Sequence, residues 1–329
     1  MENKTQPLLS VIVIGYKMPG QLANTLFTLS AGYQLGVAEQ DYEVIVVENA
    51  SSDNFDESIL PTLGNNFHFF RREETASTPV PAVNFAFAKC RGQAIGLMID
   101  GARMITPRVI QYVLASQRIS RQFFTIVPGY HLGAQAQHLN VSSGYNEATE
   151  KKLLDSTNWR ENGYELFSIA DISGANPNGY LQPIMECNCM FASAASYKKI
   201  GYADERFTLR GGGAINLHMF RSLGLLEKNK FIVLPGEGSF HQYHGGVTTS
   251  EYHGRDEENA SHNTQLQDIW HGNFHSLRKE AMLLGAVTPW AQGYLQFSSE
   301  RSMRRFERFK ARGERLWEDD YYPAPDVHE

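Results

Sequence analysis

The 329-residue chain is poor in three things that would have decided its class at once. It has only three cysteines, too few for a disulfide framework, and two of them, Cys187 and Cys189, form a lone Cys-x-Cys pair with no second pair to complete a metal site. Packed thiols in a reducing compartment are the expectation. No stretch of about 18 continuous apolar residues occurs, so no membrane-spanning helix is expected, and the polar start Met1–Pro7 lacks the apolar core of a secretory signal. A cytoplasmic protein is expected. Excess charge of one sign is also missing: 30 Lys and Arg stand against 36 Asp and Glu, for a net charge of −6, which gives bulk electrostatics no purchase on nucleic acid. Neither internal repeats nor a Pro/Gly/Ser-rich linker divides the chain. With 42% hydrophobic and 20% charged residues, it has the composition of an ordered globular protein.

What is present is an alternation. Leu8–Gly15 is a β-branched run of strand length, and Pro19 opens a helical pattern through Leu22, Leu26, Leu29 and Tyr33. Tyr42–Glu48 reads as a second strand, followed by a polar turn in which Ser52 or Asp53 is expected to cap a short helix. A third, shorter strand at Phe67–Phe70 runs into Arg71 and Arg72. Pro81–Cys90 is helical, with Val83, Phe87 and Cys90 on one face. The run Ala94–Ile99 is a strand, a helix opens after Pro107, and Phe123–Val127 is a further strand. Strands and helices trading places every 20–25 residues predict a mostly parallel sheet with right-handed crossovers. Beyond Gly129 the rhythm breaks. A helix is expected around Asn146–Asn158, a return to the sheet within Glu186–Ala195, short helices at Ser196–Ile200 and Ala214–Leu223, a strand at Lys230–Leu234, and a final helix at Tyr294–Trp317. The stretch Gly236–His275 is rich in Gly and His.

The apolar run at 95–99 ends abruptly in Asp100, then Gly101, Ala102 and Arg103. An acid at the carboxyl end of a buried parallel strand lies where open α/β sheets bind ligands, so Asp100 is expected to centre the site.

Five segments then carry a resemblance. Ser10–Tyr16, Val44–Asp53, Asn84–Gly92, Met98–Ala102 and Gly201–Phe207 with Gly211 and Gly212 come in the order and spacing of family 2 glycosyltransferases of the GT-A fold. The likeness extends over about residues 8–225. It implies a Rossmann-like, mostly parallel α/β sheet with flanking helices, here with a C-terminal helical extension. The expected division is a nucleotide-sugar-binding half at 1–130, an acceptor-side half of the same domain at 131–245, and a loop and helical extension at 246–329. The implied reaction is attack by an acceptor hydroxyl on the anomeric carbon of a nucleotide-diphosphate sugar, with inversion. It needs a nucleotide pocket, positive charge at the departing diphosphate, and a carboxylate to take the acceptor proton.

For the pocket, the expected residues are Gly15, Tyr16, Glu48, Asn49, Arg72 (or Arg71), Asn84, Asp100 and Arg103. The plainer alternative for the Glu48–Asp53 stretch is a tight turn and its caps. The family's Asp-x-Asp, which holds Mg²⁺ or Mn²⁺ on the diphosphate, is reduced here to Asp100-Gly101-Ala102. His241 and His244 lie where the resemblance puts a late metal-binding histidine, so Asp100, His241 and His244 are the metal candidates, with Mn²⁺ suited to imidazole. Arg103 offers a second route, a fixed guanidinium on the diphosphate with metal weak or dispensable. The family's Glu-Asp base is replaced by Gly213-Ala214, and Asn216 stands where a further Asp is usual. Asp204, Glu205 and Glu186 are the remaining candidate bases.

The final helix interleaves Arg301, Arg304, Arg305, Arg308, Lys310, Arg312 and Arg315 with Phe297, Met303, Phe306 and Phe309. This pattern fits either a helix lying on an anionic membrane, as suits a lipid-linked acceptor, or a packing helix with a solvated charged face. The reading reached is a glycosyltransferase using a nucleotide-diphosphate sugar and a glycan or similar acceptor. Its rival is a non-catalytic nucleotide-sugar or glycan-binding protein on the same scaffold, and a nucleotidyltransferase fits less well, for want of a Gly-rich phosphate loop after the first strand.

Overall fold

The computed structural model describes residues 6–134, 144–174, 176, 178–181, 184, 186–212, 214–244, 255–272, 277 and 279–313; Gly213, Arg315 and the acidic tail 318–329 lie outside them. The expected strands form as β1 (Leu9–Gly15), β2 (Tyr42–Asn49), β3 (Phe67–Arg72) and β4 (Ala94–Met98). All seven residues of β1, all eight of β2 and all five of β4 are buried. That continuous burial is why these strands read as apolar runs rather than alternations. Helix α1 (Pro19–Thr28) starts on its proline and buries Leu22 and Leu26. Helices α2 (Val80–Phe87) and α3 (Val109–Ile119) follow β3 and β4 in the chain.

The main sheet has eight strands in the order β12-β10-β6-β9-β4-β1-β2-β3. Its later members are β6 (Phe123–Ile126), β9 (Met190–Ser193), β10 (Lys230–Val233) and β12 (Met282–Leu283). The return to the sheet expected within 186–195 is β9, and it runs antiparallel between β4 and β6; the other pairings in this sheet are parallel. Residues from both ends of the chain therefore share one sheet and one core.

A second sheet escaped the sequence pattern. It contains β5 (Arg103–Ile105), β7 (Gly129–Leu132), β8 (Ala170–Ile172) and β11 (Ser239–His241), in the order β5-β11-β7-β8. Each of these strands is only three or four residues long, below what periodicity can detect. A second core of Met104, Tyr130, Phe167 and Phe240 lies beneath it, with Tyr130 and Phe240 stacked at 5.4 Å and Tyr294 against Tyr130 at 4.7 Å.

Besides the four-residue helix Leu60–Leu63 that follows β2, the remaining described helices are α4 (Glu147–Asp155), α5 (Ala194–Lys199), α6 (Ile215–Leu225), α7 (Arg255–Trp270) and α8 (Gln292–Arg312). Helix α7 occupies what the sequence presents as a polar Gly/His-rich stretch. The cap after β2 also differs from expectation. Asp56, not Ser52 or Asp53, accepts from Ser58 N at 3.0 Å to start the short turn Glu57–Ile59, while the Asp53 amide donates to Ser51 Oγ in a local turn upstream. In α8, Met303 and Phe306 are exposed while Arg305 is buried. No described helix is long and apolar enough to cross a membrane.

Candidate functional site

Strands β1, β2 and β4 are parallel and end on one edge, and the turn after β4 is drawn against β1. Gly101 N donates to Ile14 O at 2.8 Å. A Cβ at position 101 would sit 2.4 Å from that oxygen, so only glycine permits the approach. The turn lifts Asp100 to the sheet edge, and Ala102 N holds its Oδ1 at 3.1 Å. Ala102 is itself fully buried in the main core. In this chain position 102 faces inward, and the next side chain to reach the site is Arg103.

The second sheet brings the histidines. His241 at the end of β11 is paired in register with Arg103 on β5 and with His131 on β7. Residues paired across neighbouring strands share a face, so Arg103, His241 and His131 form a row. The segment after β11 is tied down from three sides. Gln242 N donates to Ala102 O at 2.8 Å. The Gln242 side chain donates to Gln21 O and Thr25 Oγ1 of α1 at 3.0 and 3.2 Å. Glu150 of α4 accepts from Tyr243 N at 2.8 Å.

His241 Nε2 lies 2.7 Å from Asp100 Oδ2, and His244 Nε2 lies 3.3 Å from Oδ1. The two imidazole nitrogens face each other at 3.1 Å. One ligand atom from each of the three residues falls within a 4.8 Å cluster. Burial pushes the Asp100 carboxyl upward, but the flanking His244 and His241 outweigh it and hold the group well below the usual carboxylate range. Burial brings the His241 imidazole down to about 4 despite Asp100, so at neutral pH it is an uncharged donor. Its Nδ1 is buried without a hydrogen-bond partner among the described residues. An ionised carboxylate and two convergent imidazoles are a fitting ligand set for a divalent cation, and the nitrogen content favours Mn²⁺ over Mg²⁺.

This cluster lies on the wall of a cavity of about 1040 Å³. Of the residues expected to bind donor, Gly15, Tyr16, Asn49, Asp100 and Arg103 line it, with His241 and His244. Among the candidate bases, Glu186 lines it, accepting from Asn216 Nδ2 at 3.0 Å. The other expected residues lie elsewhere. Glu48 is buried beneath the sheet edge, where it accepts from Phe55 N at 2.8 Å and Arg71 Nε at 3.0 Å. Arg72 bonds Pro81 O and Glu74, and Asn84 is paired in both directions with Ala203. Asp204 is chelated by Arg206, and Glu205 is exposed on the same turn. None of these five is among the cavity's lining residues.

The cavity also contains residues that the sequence did not single out: His131, Ser173, Asn188, Glu147, Tyr243 and His262 of α7. Only His262, within the His-rich stretch, left a trace in the sequence. Glu147 opens α4, and the others are brought in by the short strands of the second sheet and by loops, which have no pattern of their own.

Four buried polar atoms of lining residues have no hydrogen-bond partner among the described residues: Asn49 Oδ1, Arg103 Nε, Asn216 Oδ1 and His241 Nδ1. Each such group costs about 1–3 kcal/mol to leave unmet, and native proteins tolerate few. Their concentration around one cavity points to a polar ligand. The wall charges are five acids (Asp53, Glu74, Asp100, Glu147, Glu186) against three bases (Lys17, Arg103, Arg210). An anionic ligand would need a cation to offset that excess.

Mixed α/β layers around a mostly parallel central sheet give the chain a GT-A-like fold. Residues 10–111 match the family model described as Glycosyl transferase family 2. No curated protein matches the chain. Among solved structures, S. aureus TarS 1-349 in complex with UDP-GlcNAc is similar at a TM-score of 0.50 and 13% identity, over 93% of this chain and 74% of that one. The crystal structure of S. aureus TarS is similar at 0.49 and 13%, over 80% of this chain but 42% of that one; the chain thus spans less than half of that relative. Mannosyltransferase PcManGT from Pyrobaculum calidifontis, in complex with GDP-Man and Mn²⁺, is similar at 0.47 and 13%, over 95% and 75%.

Proposed function

We propose that the protein transfers a hexosyl group from a nucleotide-diphosphate sugar to an acceptor hydroxyl on a glycan or similar molecule, with inversion. The observation that carries this reading is the cavity at the ends of β1, β2 and β4, which gathers unmet polar atoms and the Asp100–His241–His244 cluster on one wall. The family 2 match over residues 10–111 supports the same chemistry.

In this reading Tyr16 and Asn49 lie at the nucleotide end. Tyr16 is half exposed and offers a ring face, and Asn49 Oδ1 is an unmet acceptor for a base or ribose donor. Asp100, His241 and His244 would hold a divalent cation, whose contribution is to neutralise charge on the departing diphosphate. Glu186 is the candidate base. It is the predicted acid that faces the cavity, and Asn216, anchored on α6, fixes its Oε2. A carboxylate held at one oxygen keeps the other available to accept the acceptor proton.

The test is transfer and donor hydrolysis over a panel of UDP- and GDP-sugars, read as released nucleoside diphosphate with Mn²⁺ and with EDTA. Turnover with at least one donor, lowered at least about 100-fold in Glu186→Gln while donor affinity is retained, is the expected result. Clear donor binding by the wild type with no turnover from any donor would overturn the enzyme reading in favour of a binding protein.

A further inference from the structure

Arg103 is a buried charge with few partners among the described residues. Its side chain is 7% exposed, yet among the described residues its guanidinium makes no hydrogen bond, and its single ion pair, Nε to Asp100 Oδ2, is long at 3.8 Å. Arg71 and Arg72, which lie away from the cavity, are better partnered: Arg71 donates to Glu48 and Phe55 O, and Arg72 to Pro81 O and Glu74. A guanidinium carries five N–H donors and is rarely buried without carboxylate, carbonyl or ligand oxygens to receive them. Asp100 does not discharge it, because the nearer claim on that oxygen is His241 at 2.7 Å.

Its placement is fixed by backbone rather than by side-chain bonding. Arg103 opens β5, is paired to His241 of β11, and stands in the cavity-facing row that continues to His131 of β7. The strand holds the stem, and the planar head meets the cavity beside the candidate metal ligands, without being one of them.

We propose that Arg103 is a preformed receptor for an oxyanion of the bound donor, separate from the cation held by Asp100, His241 and His244. The inference rests on the donor reading above. A guanidinium takes two oxygens of a phosphate or a carboxylate side by side, so two groups of a nucleotide-sugar qualify: the diphosphate, or the acid of a uronic sugar. Position favours the diphosphate, because Arg103 is paired in register with His241, directly beside the cluster that would hold the cation.

The experiment compares wild type, Arg103→Gln and Arg103→Lys by calorimetric binding in Mn²⁺, with melting temperatures as the folding control. The ligands are UDP, GDP, UMP, GMP, UDP-glucose, UDP-glucuronate and inorganic pyrophosphate. Arg103→Gln is expected to fold, because the lost group makes no hydrogen bond. It should weaken UDP or GDP, and pyrophosphate, by about 30-fold, the loss of one charge-assisted contact, and the monophosphates by less than about threefold. Arg103→Lys should fall between, since a point charge replaces a fork. A loss confined to UDP-glucuronate would keep the receptor and assign it to the sugar acid. Unchanged binding of every ligand by a folded Arg103→Gln protein would overturn the inference while leaving the donor reading intact. Wild-type binding of pyrophosphate without any nucleotide, lost in Arg103→Gln, would overturn the donor reading and keep the receptor; binding of neither would overturn both.

Discussion

Glu237 is an acid sealed into the joint between the two sheets, and its removal gives a stability change with a predictable pH signature. The side chain is 1% exposed. It accepts from Tyr164 OH at 2.9 Å and from Thr106 Oγ1, and Arg108 N approaches at 3.4 Å. Burial raises its pKa from 4.5 to about 7, against the lowering effect of those hydrogen bonds. In the unfolded chain the carboxyl loses its proton near 4.5; in the folded protein it keeps it until about 7. Between these values unfolding releases a proton, so the group's contribution to stability falls as pH rises and levels off above 7. A shift of this size corresponds to about 3 kcal/mol at about 1.36 kcal/mol per unit. Glu237→Gln keeps the shape, offers an amide that can donate to one hydroxyl oxygen and accept from the other, and cannot ionise. The variant should match the wild type near pH 4.5 and exceed it by about 2–3 kcal/mol near pH 8. Urea denaturation at half-unit steps from pH 4.5 to 8 measures this. The quantity to plot is the difference between the two proteins, because Glu150, also raised to about 7 by burial, is common to both and cancels. Curves that stay parallel across the window would refute the argument, since they would mean that the folded protein ionises this carboxyl as readily as the unfolded chain does.

Two further outcomes follow from local geometry. Gly101→Ala puts a Cβ 2.4 Å from Ile14 O, so the turn must move; a loss of about 1–3 kcal/mol in urea denaturation is expected, along with Mn²⁺ binding weakened through displaced Asp100, and an unchanged metal titration would be inconsistent with this placement. Glu48→Gln leaves either Arg71 Nε or Phe55 N unmet, so it should cost about 1–3 kcal/mol of stability, while donor affinity, measured on the folded variant, stays within about threefold; a tenfold affinity loss would show that Glu48 acts in the cavity.

The contrast between Glu48 and Arg103 explains how far the site can be read from sequence. Both are charged residues at the end of a strand, and nothing in the local sequence says which way either side chain turns. Glu48 is claimed by a backbone amide seven residues on and by an arginine on the neighbouring strand, partners that exist only after β2 and β3 pair. Asn84 and Asp204 are likewise spent on folding, in their case by Ala203 and Arg206. The N-terminal sheet was legible because β1, β2 and β4 are buried on both faces and therefore mostly apolar, and Asp100 stood out against that background. The second sheet has no such background. Its strands of three or four residues alternate between a small aromatic core and the cavity wall, so Arg103, His131 and His241 appear in sequence as isolated polar residues in loops up to 138 positions apart. Only the β5-β11-β7 pairing places them in one row. That pairing also explains why the lack of an acid at position 102 does not empty the site of charge. With position 102 turned into the core, the chain returns to the cavity at 103, where it presents a cation in register with the histidine that flanks Asp100.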